Sequence, residues 1–160
     1  MKRLLFGLLA VLCASSAISG DVVKEFFTWL EIGQVMDEAK EKELGVRHLY
    51  SHEASPDFRA HSLYAFKCCT GFPTNHCAFV TISLPERKVL AQRHDIECAS
   101  TNEMKKLESE LIGKVRPLEC KGGKRTIEVT TASDATVCVM LSDAGFAKEV
   151  KAYLSKCDSE

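Results

Sequence analysis

The chain has 160 residues with 21 Lys and Arg against 22 Asp and Glu, a formal net charge of −1, and 46% hydrophobic residues. This balance excludes the basic excess that nucleic-acid binding requires. Low-complexity and linker-like stretches are absent, so we expect one folded domain. No later stretch is long and apolar enough to predict a transmembrane segment.

The first 19 residues have the pattern of a secretory signal peptide. Lys2 and Arg3 give a charged start, and the apolar run from 4 to 12 is too short to span a bilayer. We therefore expect a signal peptide over 1–19 and a single secreted domain over 20–160. Cleavage leaves 19 basic residues against 22 acidic ones, so the mature net charge is about −3.

Export changes the interpretation of the cysteines, because an oxidising compartment favours disulfides over metal or thiol chemistry. Of eight cysteines, Cys13 lies in the signal peptide, and the other seven predict three bridges and one odd thiol, hence a monomer or a dimer through that thiol. Adjacent residues on a strand point to opposite faces, so Cys68 and Cys69 should bond to different partners. Pairing of Cys69 with Cys77, which flank one turn, and of Cys68 with Cys98 is favoured, but the sequence leaves the connectivity open. The cysteines expected to form disulfides are drawn from Cys68, Cys69, Cys77, Cys98, Cys120, Cys138 and Cys157.

A long N-terminal helix is predicted over Val22 to Leu44, because apolar residues recur there at helical spacing. Asp21 suits its N-cap, and Gly45 is placed to end it. We expect the apolar first half to pack into the core and the charged second half to be solvated. A lipid-binding or partner-binding face is the alternative, formed by Phe26, Phe27 and Trp29.

Strand patterns in the centre of the chain predict a three-stranded antiparallel meander. It runs from 61 to 67, from 78 to 84 and from 88 to 94, with turn-forming residues between the runs. In the second run, Ala78, Val80 and the next apolar residues in the alternation lie on one face of the strand. The opposite face should be more exposed to solvent.

Two helices and a second hairpin are predicted after the meander. Ser100 and Glu103 have the capping-box spacing ahead of an apolar stripe. Residues 125–131 and 136–141 form the hairpin, and the last helix should turn Cys157 towards the core. The whole predicts an α+β fold: an antiparallel sheet of about five strands in two hairpin-helix units plus the long N-terminal helix, stabilised by disulfides.

His94 and Asp95 are the catalytic candidates, since a histidine oriented by a carboxylate is the usual general base. Adjacent strand residues point apart, however, so Asp95 is badly placed to orient His94. A small secreted hydrolase that uses His94 is therefore an alternative, and we expect an exposed histidine at a strand end. No cofactor motif is found.

Three further histidines are candidate metal ligands. His48 and His52 lie four positions apart, and His61 could add a third ligand for zinc. The segment around the first two lacks helical periodicity, and Val46 to Tyr50 could be a short edge strand. Ordinary surface histidines are therefore favoured over a metal site.

The segment from 114 to 125 is the one local charge anomaly, with five cations against Glu119 alone. Such a loop can bind sulfated glycans or acidic lipid head groups, and a merely solvated loop is the alternative. The candidate anion-binding residues are Lys114, Arg116, Lys121, Lys124 and Arg125.

These patterns favour binding over catalysis. We expect a secreted binding or effector protein that acts on an extracellular protein or on a polyanionic glycan or lipid surface, not on nucleic acid. A long helix followed by a meander also resembles the outline of cystatin-like protease inhibitors. The residues do not support membership of that family, because the Gln-x-Val-x-Gly loop is absent and the only tryptophan, Trp29, lies in the predicted helix. An inhibitor-like module is kept only as an alternative function.

Overall fold

Alternating apolar and polar residues build six strands, which pair into one antiparallel sheet in the order β1-β2-β3-β4-β6-β5. The computed structural model describes residue 24 and the ranges 27–28, 30–66, 75–119, 124–132 and 135–157. The strands are β1 (Val46–His52), β2 (His61–Phe66), β3 (His76–Ser83), β4 (Val89–Glu97), β5 (Arg125–Thr131) and β6 (Thr136–Asp143). The helices are α1 (Glu38–Leu44), α2 (Thr101–Val115) and α3 (Ala144–Cys157), and a short 3₁₀ turn spans Arg116–Leu118.

One face of the sheet is closed. Helix α2 covers it over β5 and β6, and a segment that we call the strap, residues 27–28 and 30–36, covers it over β2 to β4. The side chains buried in these two clusters are almost all apolar; they include Leu30, Met36, Val80, Ile82, Ile96, Leu107, Leu111, Val115, Val137, Val139 and Leu141. The hydrophobic core of the domain therefore lies on this closed face.

The predicted long N-terminal helix is wrong. The strap turns at Gly33, whose φ of 87° leaves the helical region, and Val35 then bridges to Lys88. Helix α1 begins after the strap, at Glu38, where the Asp37 side chain accepts a hydrogen bond from the Lys40 amide at 2.8 Å. The apolar residues of the strap have helical spacing, but they pack on the sheet without forming a helix. The first part of the prediction, including Asp21, Phe26 and Trp29, lies outside the described residues.

The sheet is larger than predicted, although the α+β class is confirmed. The additional strand is β1, which pairs with β2 from Val46↔Phe66 to His52↔His61 and has a bulge between His48 and Tyr50. Five of its seven residues are exposed, as expected of an edge strand. The polar composition of this segment is compatible with either a loop or a strand, so composition alone does not predict β1.

The predicted capping box of α2 is confirmed. The Ser100 hydroxyl accepts a hydrogen bond from the Glu103 amide at 3.2 Å, and the Glu103 carboxylate accepts one from the Ala99 amide at 2.8 Å. Two amides at the helix start are thereby satisfied by local side chains. In the second hairpin Ile127 pairs with Leu141, as the alternation predicts.

The expected disulfide stabilisation is also wrong, because no disulfide joins any of the four cysteines that the structure describes. Cys98, Cys138 and Cys157 carry free thiols, so seven cysteines cannot form three bridges. Cys77 and Cys138 flank Asp95 in register, two strand spacings apart, which is about 10 Å and too far for a bond. Helix α3 also turns Cys157 to solvent instead of the core. The remaining candidates, Cys68, Cys69 and Cys120, lie outside the described residues.

In the described part of the chain, no helix is long and apolar enough to cross a membrane. This agrees with the expectation that the chain after residue 19 has no transmembrane segment.

Candidate functional site

The second face of the sheet is only partly covered, and a groove runs between it and α3. The helix starts on the sheet, where the Asp143 carboxylate accepts a hydrogen bond from the Phe146 amide at 2.9 Å. Phe146 and Ala147 are buried, but every residue from Lys151 to Cys157 is exposed. The first half of α3 is thus anchored, while its second half overhangs the open face.

The groove has a volume of about 490 Å³. Outward-facing strand residues contribute to its floor; they include Leu63, Phe79, Thr81, Arg93 and Met140. Residues of α3 line one side, namely Phe146, Val150, Tyr153 and Leu154. Apolar side chains therefore form most of the lining, which is the composition usual for small-molecule sites.

Aromatic rings close one end of the groove. The Phe58 ring lies 5.4 Å from Tyr153 in a stacked arrangement and 4.8 Å from His61 edge-on, measured between ring centroids. A tight turn holds Phe58 in place. The Phe58 amide donates to the Ser55 carbonyl, and the Ser55 amide donates to the Phe58 carbonyl. These rings pack against one another and form an aromatic wall at this end of the groove.

Exposed hydrophobic side chains concentrate at this groove. Among the described residues, six large hydrophobic side chains are exposed, and three of them, Tyr50, Tyr153 and Leu154, line it. Leu154 keeps 55% of its surface exposed. Such clustering marks a binding surface, whereas single exposed hydrophobic residues are ordinary.

The charged groups around the groove are paired with one another. On its floor Arg93 donates to Asp95 at 2.8 Å. At the helix Arg59 donates to Glu149 at 2.9 Å, and this hydrogen bond holds the pKa of the Glu149 carboxyl below its usual value. Two further ion pairs, Lys151 with Glu128 and Lys156 with Asp57, tie α3 to β5 and to the loop before β2. The groove therefore carries little unbalanced charge.

Cys138 lies beside Asp95 on the open face. Burial, followed by a hydrogen bond to Asp95, raises the pKa of the Cys138 thiol to about 11. The thiol is therefore protonated at neutral pH, and a protonated thiol is a poor nucleophile.

The catalytic candidate His94 lies on the opposite, closed face, and the expectation of an exposed histidine is wrong. Its side chain is fully buried at 0% exposure, and its Nδ1 lies 3.0 Å from Nε2 of His76, which is 1% exposed. Burial lowers the pKa of His76 to about 4 and that of His94 well below its ordinary value. Asp95 points to the other face and bonds to Arg93, so it does not orient His94, as predicted.

The three candidate metal ligands are not brought together. His52 and His61 stack at 5.1 Å, whereas His48 bonds to Ser51 and its ring lies 5.1 Å from Tyr64. Across the described ranges, no three His, Cys, Asp or Glu side chains are grouped so as to hold a metal ion.

The basic segment is only partly described. Arg116 and Lys124 are exposed, and Arg125 lies 3.8 Å from the Glu31 carboxylate. Lys121 lies outside the described residues. Anion binding by this segment stays a prediction.

Sequence reasoning missed both the groove and the buried histidine pair. The groove depends on Phe79 and Met140, which alternation places on the face expected to be wetter. A signal for His76 was present, because it has the same parity on β3 as the buried Ala78 and Val80. In the same way His94 has the parity of the buried Gln92 on β4.

In comparisons with known proteins, no protein family matches this chain, and no match was found among curated proteins or among solved structures. Its function is therefore inferred from its residues and their geometry.

Proposed function

We propose that this chain is an extracellular binding protein that holds a neutral, largely apolar small molecule in the groove between the open face of the sheet and α3. The observation that carries the proposal is the concentration of exposed hydrophobic side chains there: Tyr50, Tyr153 and Leu154. A ligand that covers them gains the free energy of removing apolar surface from water.

The size and composition of the groove support a small molecule. Its volume of about 490 Å³ lies within the range of roughly 300–1,000 Å³ that is usual for ligand sites. Few polar groups face it, and the Arg93–Asp95 pair on its floor can orient a hydroxyl or carbonyl group of the ligand.

The charge pattern supports a neutral ligand. A charged ligand would lose its hydration on entering an apolar groove and would need an unpaired charge of opposite sign to compensate. Arg93 is already bonded to Asp95, and Arg59 to Glu149. A neutral ligand pays no such cost.

The candidate catalytic side chains also support ligand binding over hydrolysis. His94 lies behind the sheet and contacts Phe27, with 4.6 Å between the ring centroids. Cys138 is kept protonated by its surroundings. Neither group is placed to attack a molecule in the groove.

The extracellular location is supported by the N-terminal pattern of residues 1–19, which lies outside the described residues. N-terminal sequencing of protein recovered from the medium of expressing cells should find Gly20 as the first residue. Retention of the chain inside the cell with its leader intact would contradict this part of the proposal.

The binding proposal is tested with a neutral apolar fluorophore, N-phenyl-1-naphthylamine. We expect its emission to rise on binding to the unmodified protein, and Leu154→Asp to weaken binding by about tenfold or more, because a short carboxylate at the groove must be desolvated.

The matched control is Ile112→Asp. Ile112 is also an exposed hydrophobic residue three positions from the end of its helix, but it lies on α2 and away from the groove. It should leave binding unchanged. Absence of binding by the unmodified protein, or equal loss in both variants, would refute the proposal.

A further inference from the structure

His61 is a polar residue at the aromatic end of the groove. It lies on β2 two positions before Leu63, so both side chains face the open side of the sheet. The residue keeps only 6% of its surface exposed, and it belongs to the lining of the groove. A polar side chain that is more than nine-tenths buried and lines an apolar groove is placed to orient a ligand.

One hydrogen bond fixes the proton of the neutral His61 ring. Its Nδ1 lies 3.0 Å from the Arg59 carbonyl oxygen, and a carbonyl oxygen can only accept, so Nδ1 carries the proton and donates. In a neutral imidazole the other nitrogen then has no proton and is an acceptor. This acceptor, Nε2, has no hydrogen-bond partner among the described residues.

Aromatic neighbours hold the His61 ring in this orientation. The rings of Phe58 and Phe146 lie edge-on to it, with 4.8 Å and 5.9 Å between the centroids. The His52 ring stacks on it at 5.1 Å. Rotation of the His61 ring would break these contacts, so its free acceptor is preorganised before a ligand binds.

An apolar ligand that covers Nε2 without bonding to it is penalised. The nitrogen would lose its access to water and gain no partner, and an unsatisfied buried acceptor costs free energy. A ligand with a hydroxyl group avoids this cost by donating to Nε2. Carbonyl and ether groups only accept, so they cannot replace the hydroxyl here.

The rings around His61 favour an aromatic ligand. Phe58 contacts both Phe146 and Tyr153, with 5.6 Å and 5.4 Å between the centroids. Tyr153 still has 39% of its surface exposed, so the wall presents aromatic surface to a further ring. Aromatic rings pack favourably on one another at such separations.

We propose that the groove selects phenols, that is, neutral aromatic alcohols whose ring packs on the aromatic wall and whose hydroxyl donates a hydrogen bond to Nε2 of His61. The selection of phenols rests on the proposed ligand binding and deepens it, because it names the class of ligand and the residue that selects it. His61 thus acts as a hydrogen-bond acceptor for the ligand and not as a metal ligand.

Two naphthalenes of the same shape test the selection. 2-Naphthol carries the hydroxyl, and 2-methylnaphthalene carries a methyl group of similar size that cannot donate. Displacement of N-phenyl-1-naphthylamine measures their affinities at about pH 8, where histidine side chains are ordinarily neutral. We expect 2-naphthol to bind at least about tenfold more tightly, although it is the less hydrophobic of the two.

Variants of His61 assign the preference to its acceptor. His61→Phe keeps an aromatic ring but has no acceptor, so 2-naphthol should lose its advantage. His61→Gln keeps an acceptor oxygen and an amide that can donate to the Arg59 carbonyl, so it should retain part of the preference. His48→Phe is the matched control; it lies on β1, outside the groove lining, and should behave like the unmodified protein.

A second readout covers the case in which His61→Phe does not fold. Nuclear magnetic resonance follows the ring nitrogens of His61 in the unmodified protein. 2-Naphthol should shift the Nε2 resonance at least several-fold more than 2-methylnaphthalene does, because only the hydroxyl bonds to its lone pair. Equal shifts with the two compounds would contradict the hydrogen bond.

The outcomes separate the selection of phenols from the proposed function. If N-phenyl-1-naphthylamine and both naphthalenes fail to bind, ligand binding in the groove is refuted, and the selection with it. If both naphthalenes bind equally well, the groove remains a ligand site but the selection is overturned. A preference for 2-naphthol that persists in His61→Phe would place the acceptor elsewhere and would also overturn it.

Discussion

Apolar strand residues face both sides of the sheet, but different elements pack on the two sides. On the closed face, the strap and α2 bury side chains such as Ile82, Leu111 and Val139 completely. On the open face, α3 is anchored only through its first half, and Tyr153 and Leu154 remain exposed. Apolar surface that folding leaves uncovered is available to a ligand, so the closed face supplies stability and the open face supplies a site.

The polar groups of the two faces also differ. The closed face buries a neutral histidine pair and Gln92, whereas the open face carries ion pairs such as Arg93 with Asp95. Partly exposed ion pairs contribute little to stability but fix where α3 lies.

The largest expected effect is on the free energy of unfolding when a strand leucine on either face is replaced by alanine. Leu141→Ala on the closed face should lower the free energy of unfolding by about 2–5 kcal/mol, because it leaves a cavity in a filled core. Leu63→Ala on the open face should cost less than about 1.5 kcal/mol, because Leu63 is only half-buried and borders the groove. Urea denaturation measures both. Equal losses would show that the open face is packed as tightly as the closed one.

A smaller difference in stability loss is expected between serine-to-alanine changes in α2, on the closed face, and in α3, on the open face. Ser100→Ala removes the N-cap of α2 and should cost about 1 kcal/mol. Ser155→Ala on the overhanging half of α3 removes only an exposed bond to the Lys151 carbonyl and should change stability by less than about 0.5 kcal/mol. Thermal unfolding compares the two variants, and a larger loss for Ser155→Ala would contradict the account of α3.

The smallest expected effect on stability belongs to the basic segment. Replacing Arg116 and Lys124 by alanine should shift retention on heparin to lower salt without changing thermal stability, because both side chains are exposed. The control replaces Lys105 and Lys106, two exposed lysines near the start of α2 and outside the basic segment. If the unmodified protein passes through heparin unretained at low salt, the segment is simply solvated.

Local patterns predicted the elements whose partners are close in sequence. Ser100 and Glu103 set the start of α2, and strict alternation set the hairpin in which Ile127 faces Leu141. The apolar residues of the strap have helical spacing and therefore predict a helix that does not form there. Its bridge from Val35 to Lys88 joins positions far apart in sequence, which periodicity does not reveal.

The site was less predictable than the fold, because it depends on where distant segments meet. Arg59 and Glu149, which help to place α3 over the sheet, are 90 positions apart. Alternation does place His94 in the buried phase of β4, but its complete burial requires Phe27 of the strap. Cysteine counting failed because parity says nothing about distances across the sheet.

Binding in the groove is tested most directly by mapping amide chemical shifts while the protein is titrated with N-phenyl-1-naphthylamine. The account predicts saturable shifts at Leu63, Phe79 and Met140 and along the second half of α3, with α2 and the strap unchanged. Shifts confined to α2 or the strap, or no saturable shifts at all, would contradict it.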